Sequence, residues 1–73
     1  MKYAIIDQIK NGDWFDELFD TEEQAIRKAD HEWNVMTLYD KNRRETYCVA
    51  QVKLDDDGCV DYAIGFTPIK EYK

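Results

Sequence analysis

The sequence predicts a single-domain α+β fold: a four-stranded antiparallel sheet with one main helix, and a short second helix, covering one face in the order β-β-α-α-β-β. Three observations lead there. Asn11-Gly12 separates two runs rich in Ile, Tyr, Trp and Phe, a strong hairpin signal. Ile26, Ala29, Trp33 and Met36 recur at helical spacing behind a capping signal at Thr21. Residues 46–55 and 59–67 alternate at period two around Asp56-Asp57-Gly58.

The expected units are a hairpin over 1–20, the main helix over 21–36, a short helix over 37–44, a second hairpin over 45–67 and a tail over 68–73. In the first hairpin a two-residue Asn11-Gly12 loop pairs Ile9 with Trp14, Asp7 with Asp16 and Ile5 with Leu18. The apolar pairs favour that register, and the like-charged Asp7–Asp16 pair opposes it. Strand one is apolar on both faces, Ile5 against Ile6, and belongs inside the sheet. Strand two is more charged and belongs at an edge.

Thr21 followed three residues later by Gln24 forms a capping box, and Glu22 and Glu23 lie where the helix dipole favours negative charge. The predicted helix runs from Glu22 to Val35, with Glu23–Arg27 and Lys28–Glu32 at i,i+4 on its outer face. Thr37 with Asp40 repeats the cap, and Arg43 and Arg44 close a short helix from Leu38. In the second hairpin the stripe Cys48, Ala50, Val52, Leu54 faces Phe66, Ile64, Tyr62, Val60 across a three-residue loop with Gly58 left-handed. Lys53 then opposes Asp61. Pro68 ends that strand, and Ile26 and Trp33 pack on the Val52, Tyr62 and Ile64 stripe.

Seventy-three residues leave room for one domain and little room for an enclosed site. At 44% hydrophobic and 14% aromatic, the chain has enough apolar material for a packed core. Sixteen acids against ten bases give −6, which argues against direct nucleic-acid binding through phosphates. No apolar run reaches the roughly 20 residues that span a bilayer, and the N-terminal residues do not read as a signal peptide. The expectation is a cytoplasmic protein with no membrane partner.

Conventional chemistry is scarce. In the predicted register Cys48 and Cys59 point to opposite faces and cannot bridge, and neither has a neighbouring His base. His31, the single histidine, falls on the polar side of the helix. The run Asp55-Asp56-Asp57-Gly58 lacks EF-hand spacing and reads as a turn. No phosphate loop, zinc spacing or nucleophile elbow is present. No catalytic residue, metal or cofactor is expected.

Charge distribution carries the remaining signal. Residues 13–32 hold eight acids and two bases, and therefore the whole net −6; residues 41–53 hold four bases and one acid. Asp13, Asp16, Glu17, Asp20, Glu22 and Glu23, with Trp14 beside them, form a candidate acidic rim for binding a basic protein. Acids in the first helical turn and a solvating face explain the same residues without a partner.

The run Phe19-Asp20-Thr21-Glu22-Glu23-Gln24-Ala25-Ile26, followed by Ala29-Asp30, Glu32-Trp33, Thr37, Asp40-Lys41, Arg43-Arg44 and Tyr47, resembles a group of short Firmicutes proteins of gut bacteria, of unknown function and often near mobile elements. The similarity spans about residues 15 to 50. It rests on capping and packing residues and brings no activity or catalytic residue with it. The mobile-element setting implies a role in host or phage defence. The leading expectation is a non-enzymatic protein-interaction module with an acidic surface. The alternative is a DNA-mimic inhibitor of a nucleic-acid enzyme, of anti-restriction or anti-CRISPR type. The weakest is a small metal-dependent enzyme using Asp7 and Asp16. A homodimer is a further expectation, with the basic 41–53 segment meeting the rim of a second copy.

Overall fold

Apolar residues on both faces place the first strand inside the sheet. The computed structural model describes residues 2–73, and its strands β1 (Lys2–Ile9), β2 (Trp14–Phe19), β3 (Arg44–Val52) and β4 (Thr67–Glu71) are antiparallel in the order β2-β1-β3-β4. Helices α1 (Glu22–Val35) and α2 (Leu38–Arg43) link β2 to β3. The class is α+β, and β2 lies at an edge as its charge suggested.

Both helices start where their caps predict. Thr21 Oγ1 accepts from the Gln24 amide at 3.2 Å, and Thr37 Oγ1 from the Asp40 amide at 3.1 Å. On α1 the two fully buried residues are Ala25 and Ala29, one turn apart. Their small side chains let the helix approach the sheet closely, against Ile5, Tyr47 and Val49. Phe19, Ile26, Trp33, Met36 and Tyr72 pack around that contact.

The opposite face carries a second core of Ala4, Ile6, Cys48, Ala50, Val52 and Val60, closed by Leu54 and Phe66. This corrects the expectation that the helix covers the Cys48 stripe. Ile26 and Trp33 pack on the Tyr47–Val49 face, while the segment 53–66 folds over the Cys48 face.

The first hairpin is shifted by one residue from the predicted register. Gln8 opposes Trp14, Asp7 opposes Phe15 and Ile6 opposes Asp16. The loop has three residues: Ile9 N donates to Asp13 O, and Gly12 N to Ile9 O, both at 3.1 Å. Asn11 alone there takes a positive φ, 56°. Gly12 serves by lacking a side chain, since a Cβ there would sit 3.2 Å from Ile9 Cγ2. A one-residue slip turns every side chain of the strand to the other face. Asp7 and Asp16 therefore lie on opposite faces, and the predicted like-charge pair does not form.

The second hairpin is correct only at its tip. Leu54 pairs with Val60, Asp61 N donates to Lys53 O at 2.9 Å, and Gly58 has φ 83° as its turn requires. The chain then turns again at Tyr62–Gly65, where Gly65 N donates to Tyr62 O and Gly65 adopts φ 80°. That second turn breaks the predicted strand, so Ile64 and Phe66 do not pair with Ala50 and Cys48. The residues expected as a tail form β4 instead, with Cys48 opposite Glu71 and Ala50 opposite Pro68. Pro68 is tolerated because β4 is an edge strand and its register shifts between Val49 and Ala50.

Both cysteines are free, Cys48 buried and Cys59 exposed. Burial, with Glu71 nearby, pushes the Cys48 thiol up to about 11. A thiol reagent at neutral pH should label Cys59 rapidly and Cys48 only on unfolding. Rapid labelling of both in the native protein would contradict the second core.

Candidate functional site

The residues that sequence reasoning singles out gather on β2 and the start of α1. β2 pairs with β1 along one side only, so among the described residues its other edge has no strand partner. Its side chains are open on both faces: Trp14, Phe15 and Leu18 are 44%, 53% and 38% exposed. Trp14, Asp16 and Leu18 share the face of Ile6, whereas Phe15, Glu17 and Phe19 share the helix face.

A polar relay braces the first of these faces. Trp14 Nε1 donates to Tyr62 Oη at 2.9 Å, and Tyr62 Oη donates to Asp16 Oδ2 at 2.8 Å. The two rings meet edge to face with centroids 4.9 Å apart. Partial burial, reinforced by the Asp16 carboxylate, raises the Tyr62 hydroxyl to about 12. It therefore stays protonated and donating throughout the neutral range. Tyr62 was not among the predicted site residues. Its place depends on the turn at Gly65, a residue that the alternating pattern of 59–67 puts within a strand.

The acidic rim is divided and partly neutralised. Lys2 pairs with Asp20, Lys28 Nζ with Glu17 Oε1 at 2.6 Å, and Arg27 Nη2 with Glu23 Oε1 at 3.0 Å. The Lys2 ammonium holds the Asp20 carboxyl below its usual range, and Glu17 raises the Lys28 ammonium. Asp13 and Glu22 form no ion pair among the described residues. Asp16 and Glu17 point to opposite faces, so the six carboxylates do not make one continuous surface.

Away from the rim, Asp7 is engaged by Arg44 at two points, Nε–Oδ1 3.1 Å and Nη2–Oδ2 3.4 Å. Arg44 Nη1 also donates to Asp40 O at 3.1 Å, which ties the end of α2 to the sheet. Trp33, Tyr47 and Tyr72 form a second aromatic group, in which Trp33 stacks on Tyr47 at 5.4 Å. Tyr47 donates to Glu32 at 3.1 Å and Tyr72 to Asp30 at 2.5 Å; burial raises both hydroxyls.

His31 is exposed on α1. Asp55 Oδ1 accepts from the Asp57 and Cys59 amides at 2.9 and 3.0 Å, as a turn-forming aspartate does. Among the described residues no group of three or more His, Cys, Asp or Glu is placed to hold a metal ion, and no helix is long and apolar enough to cross a membrane. What stands out is an edge strand with exposed apolar side chains on both faces, preceded by the unpaired Asp13 and followed by the unpaired Glu22 at the start of α1. No family model, curated protein or solved structure matches the chain.

Proposed function

We propose that the protein is a non-enzymatic interaction module that binds a protein partner along β2. The exposure of Trp14, Phe15 and Leu18 on an edge strand carries this reading. Edge strands are ordinarily protected by charge, bulges or covering segments, because their free amides and carbonyls recruit other strands. Here the edge carries Asp16 and Glu17 at its centre but exposes Trp14 and Leu18 on one face and Phe15 on the other, which suits addition of a partner strand. Tryptophan is also a frequent anchor of binding energy at interfaces. Asp13 just before β2 and Glu22 at the start of α1, neither ion-paired among the described residues, favour a partner with basic residues near its contact segment.

The separation of Asp7 and Asp16 weighs against a paired-carboxylate enzyme. The internal pairing of Glu17, Asp20 and Glu23 weighs against a phosphate-like array. Phe15→Lys/Leu18→Lys places a cation on each face of β2 at exposed positions and should leave the circular dichroism unchanged. Immobilised wild type should retain a specific protein from a lysate of the source cells, and the double variant should lose it. Equal recovery by both would remove β2 as the contact surface.

A further inference from the structure

A cleft beside the last turn of α1 and α2 has a different character, and its reading is independent of β2. It measures about 610 Å³ and is lined by Lys10, Lys41, Arg44 and Lys73 against a single carboxylate, Glu45. Trp33, Tyr47 and Tyr72 supply its aromatic wall. The volume falls within the range of small-molecule sites.

Among the described residues, five of the ten Lys and Arg side chains pair with a carboxylate and five do not. Lys2, Arg27, Lys28 and Lys70 each pair with a carboxylate, as does Arg44 with Asp7. Lys10, Lys41 and Lys73 are three of the five without a carboxylate partner among the described residues, the others being Arg43 and Lys53, and these three line one cleft. The fold also brings them together. Lys10 N donates to Arg43 O at 2.8 Å, which fastens the β1–β2 turn beside α2. Lys41 Nζ lies 5.2 Å from the centre of the Trp33 ring. Trp33 and Tyr72 are half-buried and line the cleft, with Tyr47 stacked on Trp33 and Lys70 over the Tyr72 ring.

We propose that this cleft binds a nucleotide-class ligand, a planar ring bearing phosphate. The phosphates sit between the Lys10 and Lys41 ammoniums, where charge-assisted hydrogen bonds are strongest. The ring takes the place of the Lys41 ammonium over Trp33 as Lys41 turns to the phosphate, since bases stack on aromatic side chains. Arg44 shapes the cleft while remaining bound to Asp7. Neither half suffices alone: the cations recognise the phosphate and the aromatic wall recognises the ring.

The indole N–H signals of Trp33 and Trp14 in ¹⁵N-labelled protein report separately on the cleft and on β2. ADP, GDP, CDP, UDP, inorganic pyrophosphate and adenosine are titrated in turn. At least one nucleoside diphosphate should shift Trp33 saturably with Kd below about 1 mM, with Trp14 unmoved. Lys10→Gln/Lys41→Gln, whose dispersed spectrum verifies its fold, should weaken that binding about tenfold or more. Lys41→Arg should bind the nucleotide more tightly than the double variant, since a cation that can pair with phosphate is kept. Pyrophosphate and adenosine should each bind about tenfold more weakly than the nucleotide. The proposal is overturned if none of the four nucleotides moves Trp33, if the double variant binds as wild type does, or if pyrophosphate alone binds equally well.

Discussion

Ile6→Ala should destabilise the protein by about 3 kcal/mol, within the usual range for emptying a buried isoleucine site. Ile6 is fully buried on the central strand β1, opposite Cys48 on β3 and Asp16 on β2. Several of its core neighbours are small, namely Ala4, Cys48 and Ala50, and they are fixed by strand pairing. They cannot swing into the space, so the cavity persists and adds to the lost transfer energy. A chain of 73 residues has a total stability of only about 4–11 kcal/mol, so the loss is a large fraction of it. Urea denaturation should show a much lower midpoint with little change in slope. Val35→Ala, at an exposed position, should stay within about 0.5 kcal/mol of wild type. Equal, small effects at both positions would mean that the face opposite the helix is not a packed core.

The next largest effect is expected from Arg44→Met, at about 2 kcal/mol. The Arg44 and Asp7 side chains are 17% and 19% exposed, and the guanidinium contacts both carboxylate oxygens. Removing the cation strands a mostly desolvated carboxylate, which costs about 3–5 kcal/mol in fully buried pairs and less where some water remains. The variant also loses the donor to Asp40 O, loosening α2 from the sheet. Asp7→Asn/Arg44→Met should recover most of the loss, because no unpaired charge remains. If the double variant were less stable than Arg44→Met alone, stranded charge would not be the cause.

These two sites show where sequence reasoning reaches and where it stops. Both helices were legible to the residue at their starts because the signals are local: Thr21 and Thr37 cap their own helices, and Ile26, Ala29, Trp33 and Met36 mark one face within a few turns. The places of β1 inside the sheet and β2 at its edge were legible too, since Ile5 and Ile6 demand cover on both sides of β1. Register was not. Asn11 accepts a positive φ in a two-residue or a three-residue loop, and one residue of difference turned β2 over. Gly65 reads as easily in a strand as in a turn, and the turn it makes carried Tyr62 to Trp14 and left β4 to residues 67–71. Trp14 and Asp16 could be nominated from composition and charge. Tyr62, the Asp7–Arg44 pair and the Lys10–Lys41 cleft depend on contacts between distant segments, which no local pattern announces.

The proposed interface is most directly tested by photo-crosslinking from β2 itself. Phe15 is replaced by p-benzoylphenylalanine in one sample and Tyr39, exposed on α2, in another. In a lysate of the source cells, position 15 should give a discrete covalent adduct with one protein, competed by unlabelled wild type and not by Phe15→Lys/Leu18→Lys. Position 39 should give none. The absence of an adduct from position 15, or the same adduct from position 39, would contradict a binding surface on β2.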